Sequence, residues 1–462
     1  MSRRIAVVLA GGVGARVGLD IPKQLIKIAG HTILEHTIAR LDAHPDVDEV
    51  VVMMTPGHLD AVDAIVASGG YTKVTHVLEG ADTRNGTTLR ALDVVGDDDT
   101  MVLLHDAVRP LVSPRIVTDC FAALETYDAV DVAIPSADTI IEVGEDNLIT
   151  AVPPRHRLRR GQTPQAFRAG AIRRAYAAAA LDPDFAATDD CSVVLRYTPD
   201  VPIWVVAGEE RNMKVTEPID VYLADKLFQL GSDTLAPEHD EAGYRAELAG
   251  KTLVVFGGSY GIGADLAALA ASYGAEVFTF SRSTTGTHVE RRGDVRAAVR
   301  TVLEKTDRVD FVVNSAATLT RGPLLETSDE ALRHSTDVNF LATVVIAQEC
   351  HGVLAASHGS LLNFTSSSYT RGRSGYSIYS AAKAGVVNLT QALADEWSVD
   401  RIRVNCVNPE RTGTPMRTKA FGEEPVESLL ASSEVARRSL DLLLSGETGL
   451  ILDIRRDDPF AG

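Results

Sequence analysis

Short apolar runs alternate with longer amphipathic stretches along the whole chain. The runs predict strands at Ile5–Leu9, Glu49–Met54, Met101–Leu104 and Ile203–Val206, then at Leu253–Phe256, Glu276–Phe280 and Phe311–Val313. Each is rich in Val, Ile, Leu or Phe, and the intervening segments are long enough for crossover helices, the pattern of an α/β protein with mainly parallel sheets. The alternation stops between Leu230 and Gly250, where Gly231-Ser232-Asp233-Thr234 and Pro237-Glu238-His239-Asp240 make a polar, turn-rich stretch with no apolar strand. This divides the chain into a domain over 1–230, a linker over 231–249 and a second domain over 250–462. The halves share no repeat beyond opening with a strand and a glycine-rich turn, so they read as two different enzymes joined.

Length agrees, since 462 residues exceed one ordinary core at roughly 150 residues per domain. Hydrophobic residues make up 45% of the chain, but no window approaches the roughly 18 consecutive apolar residues of a membrane span. The start, Met-Ser-Arg-Arg before Ile5–Leu9, lacks the apolar stretch and cleavage site of a secretory signal, so a soluble, cytoplasmic protein without a membrane partner is expected. The cysteines Cys120, Cys191, Cys350 and Cys406 lie far apart with no metal-ligand spacing, and are expected to be buried thiols. A formal charge of −18 argues against nucleic acid. Any phosphate ligand must therefore be captured by local cations and backbone amides.

The first strand leads into Ala10-Gly11-Gly12-Val13-Gly14-Ala15-Arg16, followed by Pro22-Lys23-Gln24. Glycines let backbone N–H groups approach a triphosphate closely. In nucleotidyl transfer an oxygen attacks the α-phosphorus, and the added negative charge needs cations such as Arg16 and Lys23. From about Arg3 to Phe228 the chain resembles the cytidylyltransferases of the methylerythritol-phosphate and ribitol-phosphate type, in several separated segments. Gly80-Ala81-Asp82-Thr83-Arg84-Asn85-Gly86-Thr87-Thr88 resembles the loop that holds cytosine and ribose, though the family more often opens it Gly-Gly. His105-Asp106-Ala107-Val108-Arg109-Pro110 resembles the family's H-D-A-x-R-P segment. Asp138-Thr139, Arg155 and Thr163-Pro164-Gln165 match segments that complete the polyol-phosphate pocket, partly across a dimer interface; Thr188-Asp189-Asp190 and Asn212-Met213-Lys214-Val215-Thr216 match the closing segments. The resemblance implies a nucleotidyltransferase fold, with CTP at Ala10, Gly11, Gly12, Gly14, Arg16, Lys23, Gly80, Arg84, Thr87 and Asp106. It implies a polyol phosphate at Asp106, Ala107, Arg109, Thr139, Arg155 and Lys214, with Arg16, Lys23 and Lys214 catalytic.

In the second half, Leu253–Phe256 ends in Gly257-Gly258-Ser259-Tyr260-Gly261-Ile262-Gly263, which opens a helix. Such a turn sets a pyrophosphate against free N–H groups and the helix dipole. Arg282, after the second strand, stands where an acidic residue would meet a 2′-hydroxyl, and suits the 2′-phosphate of NADP. This glycine spacing, Asp294-Val295, Asn314-Ser315-Ala316-Ala317, Asn339, Ser366, Tyr379 and Lys383 resemble the short-chain dehydrogenase/reductase family over about Gly250 to Asp453. The resemblance implies an NAD(P)-binding Rossmann fold, with NADPH at Gly257, Ser259, Tyr260, Gly261, Ile262, Arg282, Asp294, Asn314, Ala316, Tyr379 and Lys383. Hydride addition to a ketone builds charge on its oxygen, so an acid must deliver a proton. Tyr379 is expected to be that acid, Lys383 one turn on to lower its pKa and hold the nicotinamide ribose, Ser366 to polarise the carbonyl and Asn339 to hold a relay water. Asn408-Pro409-Glu410 resembles the segment beside the nicotinamide, with Glu410 in place of the usual glycine. Arg371 and Arg373, between Ser366 and Tyr379, are candidates to grip a substrate phosphate.

Together the halves resemble bifunctional CDP-ribitol synthases, and so imply reduction of ribulose 5-phosphate followed by cytidylylation of ribitol 5-phosphate. Other readings stay open: methylerythritol phosphate as the transferase substrate, a non-catalytic second half that only stabilises a dimer, or one that senses NADPH without turnover. Magnesium is expected as a phosphate-bridging ion with no protein ligand to name, and a homodimer or higher homo-oligomer is expected because both families commonly oligomerise.

Overall fold

The computed structural model describes residues 2–11, 22–230 and 238–456. The chain divides into two compact units, Met1–Leu227 and Phe228–Gly462.

The first unit is built on a sheet of seven strands: β1 (Arg4–Ala10), β2 (Glu49–Met54), β3 (Val74–Glu79), β4 (Met101–Asp106), β5 (Ala129–Pro135), β6 (Arg159–Arg168) and β7 (Ile203–Ala207). Their order is β7-β5-β6-β4-β1-β2-β3. All neighbours are parallel except β6, which runs antiparallel to both β4 and β5. Side chains alternate along β1, so Ala6 and Val8 join Leu34, Ile38 and Phe121 on one face, while Ile5 and Val7 join Leu92, Ile172 and Tyr176 on the other. Burial on both faces explains why the inner strands β1, β2 and β4 read as unbroken apolar runs, while the edge strands β3 and β7 stay largely exposed.

The second unit contains β8 (Thr252–Phe256), β9 (Glu276–Phe280), β10 (Phe311–Asn314), β11 (Ser360–Phe364), β12 (Arg403–Pro409) and β13 (Ile451–Ile454), ordered β9-β8-β10-β11-β12-β13. Every pairing in this sheet is parallel. The helical run Asp329–Ser357 is long and apolar enough to cross a membrane by length and composition. It instead puts Ala342, Ile346, Cys350 and Leu354 into the core beside Val312 and Leu361. The four cysteines are free and buried.

Residues 241–248, inside the stretch expected to be a linker, form a helix capped by the Asp240 side chain. Its two buried residues, Tyr244 and Leu248, lie four apart on one face, and the Tyr244 hydroxyl donates to the buried Asp441 carboxylate at 2.6 Å. That helix is part of the second unit.

In both units the chain first builds strands to one side of its opening strand and then crosses to the other side. The crossing lies between β1 and β4 in the first unit and between β8 and β10 in the second. The crevice beyond the carboxyl ends of the strands at such a reversal is where α/β sheets bind ligands.

Candidate active sites

In the first unit, sheet hydrogen bonds continue past the strand ends: Ala107 N donates to Leu9 O at 3.0 Å, and Gly80 N to Met54 O at 2.7 Å. They draw Gly11, Gly80 and Asp106 around one crevice. A Cβ on Gly80 would lie 3.0 Å from Thr87 Oγ1 and 3.2 Å from its methyl group, so a larger residue there would have to push Thr87 aside by a few tenths of an ångström. The Thr87 hydroxyl accepts from Ala81 N at 2.9 Å and lies 2.9 Å from Thr83 O. It therefore shapes the loop expected to hold the nucleoside. Thr83 caps the helix Arg84–Leu92 and Asp189 caps Asp190–Tyr197, caps that each contribute about 1 kcal/mol. They set Arg84 and Asp190 in the first turns of their helices, where the two pair.

Asp106 sits among three cations, with Lys214 Nζ at 2.8 Å, Arg109 Nε at 3.7 Å and an Arg84 nitrogen at 3.9 Å. Burial alone would raise its pKa, but Lys214 and Arg84 outweigh that and hold the carboxyl ionised below its ordinary value. Asp190 is wholly buried, takes the Tyr176 hydroxyl at 2.7 Å and fixes Arg84 from behind. Arg109 donates to Asn212 O at 2.7 Å, and Val215 N donates to Val108 O at 2.9 Å, so the segment bearing Lys214 is stitched to the turn after β4.

His105 orders this turn. Thr163 Oγ1 accepts from Asp106 N at 3.0 Å, so its one proton goes to His105 Nδ1 at 3.1 Å. Nε2–H then faces the Arg109 carbonyl at 3.0 Å. Burial pushes the imidazole down to about 4, so it is neutral at pH 7. Register shifts in β6 between Gln162 and Ala166 aim Thr163 and Gln165 at the site, and Gln165 Oε1 accepts from Asp190 N at 3.1 Å.

Of the residues expected at this site, Ala10, Gly11, Gly80, Arg84, Thr87, Asp106, Ala107, Arg109 and Lys214 come together. Lys23 lies in the short helix Lys23–Leu25, and its charge adds to the Glu217 and Thr216 hydrogen bonds that hold the Asp220 carboxyl below its ordinary range against the effect of burial. Thr139 and Arg155 are exposed, with Arg155 donating to Ala137 O at 3.1 Å; neither is bonded to the Asp106 cluster. Gly12, Gly14 and Arg16 lie outside the described residues. His105, Tyr176 and Asp190 were not chosen from sequence as site residues. The H-D-A-x-R-P segment that His105 opens and the acidic segment 188–190 are the sequence signals that lead to His105 and Asp190; none leads to Tyr176.

The second unit holds a cleft of about 590 Å³ lined by Gly257, Ser259, Tyr260, Gly261, Ile262, Arg282, Ala316, Ser366, Tyr379 and Lys383 among others. Gly257 has φ +90°, and a Cβ there would lie 2.5 Å from Ala316 N, so only glycine lets these two loops close the floor of the cleft. Gly261 precedes the helix Ile262–Ser272 and leaves its first N–H groups without a side-chain cap. Arg282 is exposed and, among the described residues, makes no ion pair with a carboxylate. A glycine floor, an uncapped helix start and an unpaired arginine fit a dinucleotide with an additional phosphate.

Tyr379 and Lys383 occupy one face of the helix Ser377–Glu396, with the Lys383 ammonium 5.8 Å from the centroid of the Tyr379 ring. Lys383 donates to Phe364 O at 2.8 Å, and burial depresses it to about 8. Burial raises the Tyr379 phenol to about 12, partly offset by a hydrogen bond with Ser366. At pH 7 the tyrosine therefore carries its proton and the lysine its charge.

Several expectations shift. Asn339 is buried in a π-helical turn, and its amide is spent on Thr318 N at 3.1 Å, Thr318 O at 2.8 Å and Ser335 O at 2.9 Å. The side chain thus braces a wall of the cleft and does not face it. Asn314 lies behind the cleft and donates to Thr343 Oγ1 at 3.0 Å. Asp294 does not line the cleft either. It lies in the first turn of the helix Arg292–Leu303 and accepts from His288 N at 3.0 Å, and the lining residues are His288, Val289 and Glu290. Arg371 and Arg373 are exposed and outside the cleft, whereas Arg417 and Lys419 line it.

A family model described as 2-C-methyl-D-erythritol 4-phosphate cytidylyltransferase matches residues 4–229, and one described as enoyl-(acyl carrier protein) reductase matches residues 261–452. Over 456 residues the chain is 42% identical to a bifunctional ribulose 5-phosphate reductase/CDP-ribitol pyrophosphorylase of Haemophilus influenzae, covering 98% of this chain and 96% of that protein. The chain belongs to this bifunctional family. Its first half is also 52% identical over 235 residues to a 2-C-methyl-D-erythritol 4-phosphate cytidylyltransferase of Thermobifida fusca (strain YX), covering 50% of this chain and 94% of the relative. A solved 4-diphosphocytidyl-2C-methyl-D-erythritol synthase from Anaerococcus prevotii DSM 20548 is similar at 27% identity with a TM-score of 0.45, covering 49% of this chain and 96% of that one. Like its bifunctional relative, the chain combines a cytidylyltransferase with a short-chain oxidoreductase, and the Asp106 crevice and the Tyr379 cleft fall in the respective halves.

Proposed function

We propose that the chain reduces D-ribulose 5-phosphate to D-ribitol 5-phosphate with NADPH, then transfers a cytidylyl group from CTP to give CDP-ribitol and pyrophosphate. The observation that carries this reading is the full-length similarity to a bifunctional relative.

In the reductase cleft, bound NADPH supplies the hydride. Tyr379 donates its proton to the carbonyl oxygen, Ser366 orients that oxygen, and the Lys383 charge eases the developing phenolate. Asn339 acts by holding the Thr318 wall. In the transferase crevice an oxygen of the polyol phosphate attacks the α-phosphorus of CTP and displaces pyrophosphate. Lys23, Arg16 and Lys214 balance the charge that builds up, while Asp106 keeps Lys214 placed. Among the described residues no group of three or more His, Cys, Asp or Glu could hold a metal ion. Magnesium would thus enter bound to the triphosphate.

The hairpin Glu142–Val143 and Ile149–Ala151 supports a homodimer: Ile141, Val143, Leu148, Ile149 and Val152 are about half exposed or more. Thr139 and Arg155, at the base of this arm, would serve the partner's polyol-phosphate pocket. The enzyme's use of CTP and NADPH, both cytoplasmic metabolites, supports a cytoplasmic location.

The test follows NADPH absorbance with ribulose 5-phosphate, then pyrophosphate release on adding CTP and magnesium. Oxidation followed by CTP-dependent release is the expected course. The 52% identity of the first half to a methylerythritol-phosphate enzyme favours a second reading for the transferase alone. Cytidylylation of supplied methylerythritol phosphate, with none of ribitol 5-phosphate, would establish it. Arg282→Ala is expected to raise KM for NADPH by about tenfold or more and leave that for NADH nearly unchanged, as loss of one charge-assisted phosphate contact implies. Equal KM changes for both cofactors would remove Arg282 from the 2′-phosphate.

A further inference from the structure

The far wall of the reductase cleft carries cations that the hydride and proton chemistry does not use. From Tyr379 a row of aromatic rings leads away: Tyr376 lies 6.3 Å from it and Phe421 lies 6.2 Å from Tyr376, centroid to centroid, both edge-on. Two guanidinium groups stack against Phe421, Arg417 at 4.6 Å and Arg321 at 4.4 Å. Arg417 is held by Glu424 through Nε at 2.6 Å and one terminal nitrogen at 2.9 Å. Five N–H donors make up a guanidinium, so this bidentate pair fixes the group and leaves its other terminal nitrogen available. Arg321 donates to Ala420 O at 2.9 Å and, among the described residues, has no carboxylate partner. Lys419, two residues beyond Arg417 on the same short helix, lines the cleft and makes no ion pair among the described residues. Arg417 and Lys419 thus bring two cations to the cleft lining on this helix, with Arg321 behind Phe421; Glu424 pairs with Arg417, and Glu290 and Glu410 are the carboxylates that line the cleft.

We propose that Arg417 and Lys419 bind the phosphate of the reductase's ketose phosphate, with Arg321 adding positive charge behind Phe421 and Glu424 holding Arg417 in place. This rests on the reductase reading above. It replaces Arg371 and Arg373, which lie outside the cleft. Five bonds separate C2 from the phosphorus of a ketopentose 5-phosphate, roughly 6 Å when extended. A carbonyl held at Tyr379 would then carry its phosphate about as far as Tyr376, 6.3 Å away, and the long side chains of Arg417 and Lys419 would span the remaining distance. The cations also explain how a chain of net charge −18 draws a dianion into this cleft.

The experiment compares kcat/KM for D-ribulose 5-phosphate and for unphosphorylated D-ribulose, in the full-length enzyme with saturating NADPH. In Lys419→Ala the ratio of the two is expected to fall about tenfold or more, as loss of a charge-assisted contact to phosphate implies, and Lys419→Arg is expected to restore most of it. An unchanged ratio in Lys419→Ala, with a fall in Arg371→Ala or Arg373→Ala, overturns the assignment. Failure of the wild-type enzyme to oxidise NADPH with ribulose 5-phosphate would instead remove the reductase reading itself.

Discussion

Tyr379→Phe is expected to lower NADPH oxidation with ribulose 5-phosphate by about 10²–10⁴-fold, the usual range for loss of a positioned general acid. Cytidylyl transfer to supplied ribitol 5-phosphate should continue at the wild-type rate. The substitution removes one oxygen from a ring that is 7% exposed, and the hydroxyl's internal partner is Ser366. Ser366 also bonds the Ser368 N–H and hydroxyl, so it is not left stranded and the fold should persist. The phenol, raised to about 12, enters reduction protonated, and Lys383, at about 8, is charged at pH 7. Phenylalanine keeps the packing and loses only the proton. Unchanged flux from ketose phosphate to CDP-polyol would refute catalysis at Tyr379 and favour a second unit that only senses NADPH. Loss of both activities in a folded variant would refute independent sites.

The reductase chemistry was legible because it rests on local spacing: Tyr379 and Lys383 are four apart on one helix, and the glycine turn follows its strand directly. Strand Glu49–Met54 is legible to the residue because burial on both faces makes it a continuous apolar run, and the half-buried edge strand Glu276–Phe280 because it is rich in Val, Phe and Thr. Strand β6 was not. Its sequence Arg159–Arg168 contains Gly161, Pro164 and buried Gln162, Thr163 and Gln165, and it is a strand because β4 and β5 grip it from both sides. The helix Glu241–Leu248 was hidden for a related reason, since only Tyr244 and Leu248 of its eight residues are buried. Side chains that reach a site from distant segments were the hardest to place. Arg371 and Arg373 are nearer Tyr379 in sequence than Arg417 and Lys419, yet the segment after β12 brings its cations to the cleft lining, whereas the 366–376 segment brings Ser366, Ser367 and Tyr376 and leaves its arginines outside. Asp294 was read as the cofactor contact, but the chain meets the cleft six residues earlier, at His288.

Lys214→Ala should have the complementary effect, lowering CTP-dependent pyrophosphate release with ribitol 5-phosphate by about 10²–10³-fold, as loss of one preorganised transition-state donor does. NADPH oxidation should stay at the wild-type rate. The ammonium lies 2.8 Å from Asp106, and its side chain is 41% exposed. It is therefore held by a buried carboxylate while open to a ligand in the crevice. Asp106 keeps Arg84 and Arg109 as partners, so the variant should fold and its melting temperature should shift by only a few degrees. Lys23→Ala should act in the same direction, because both cations answer the charge that accumulates as the α-phosphorus gains a fifth oxygen. The two differ in what they leave behind: Asp106 loses its shortest cation contact only in Lys214→Ala, so adding Asp106→Asn to each variant separates them. The second change should cost Lys214→Ala little and Lys23→Ala much, because Asp106 acts through Lys214. Equal, additive losses would show that Asp106 meets the substrate directly.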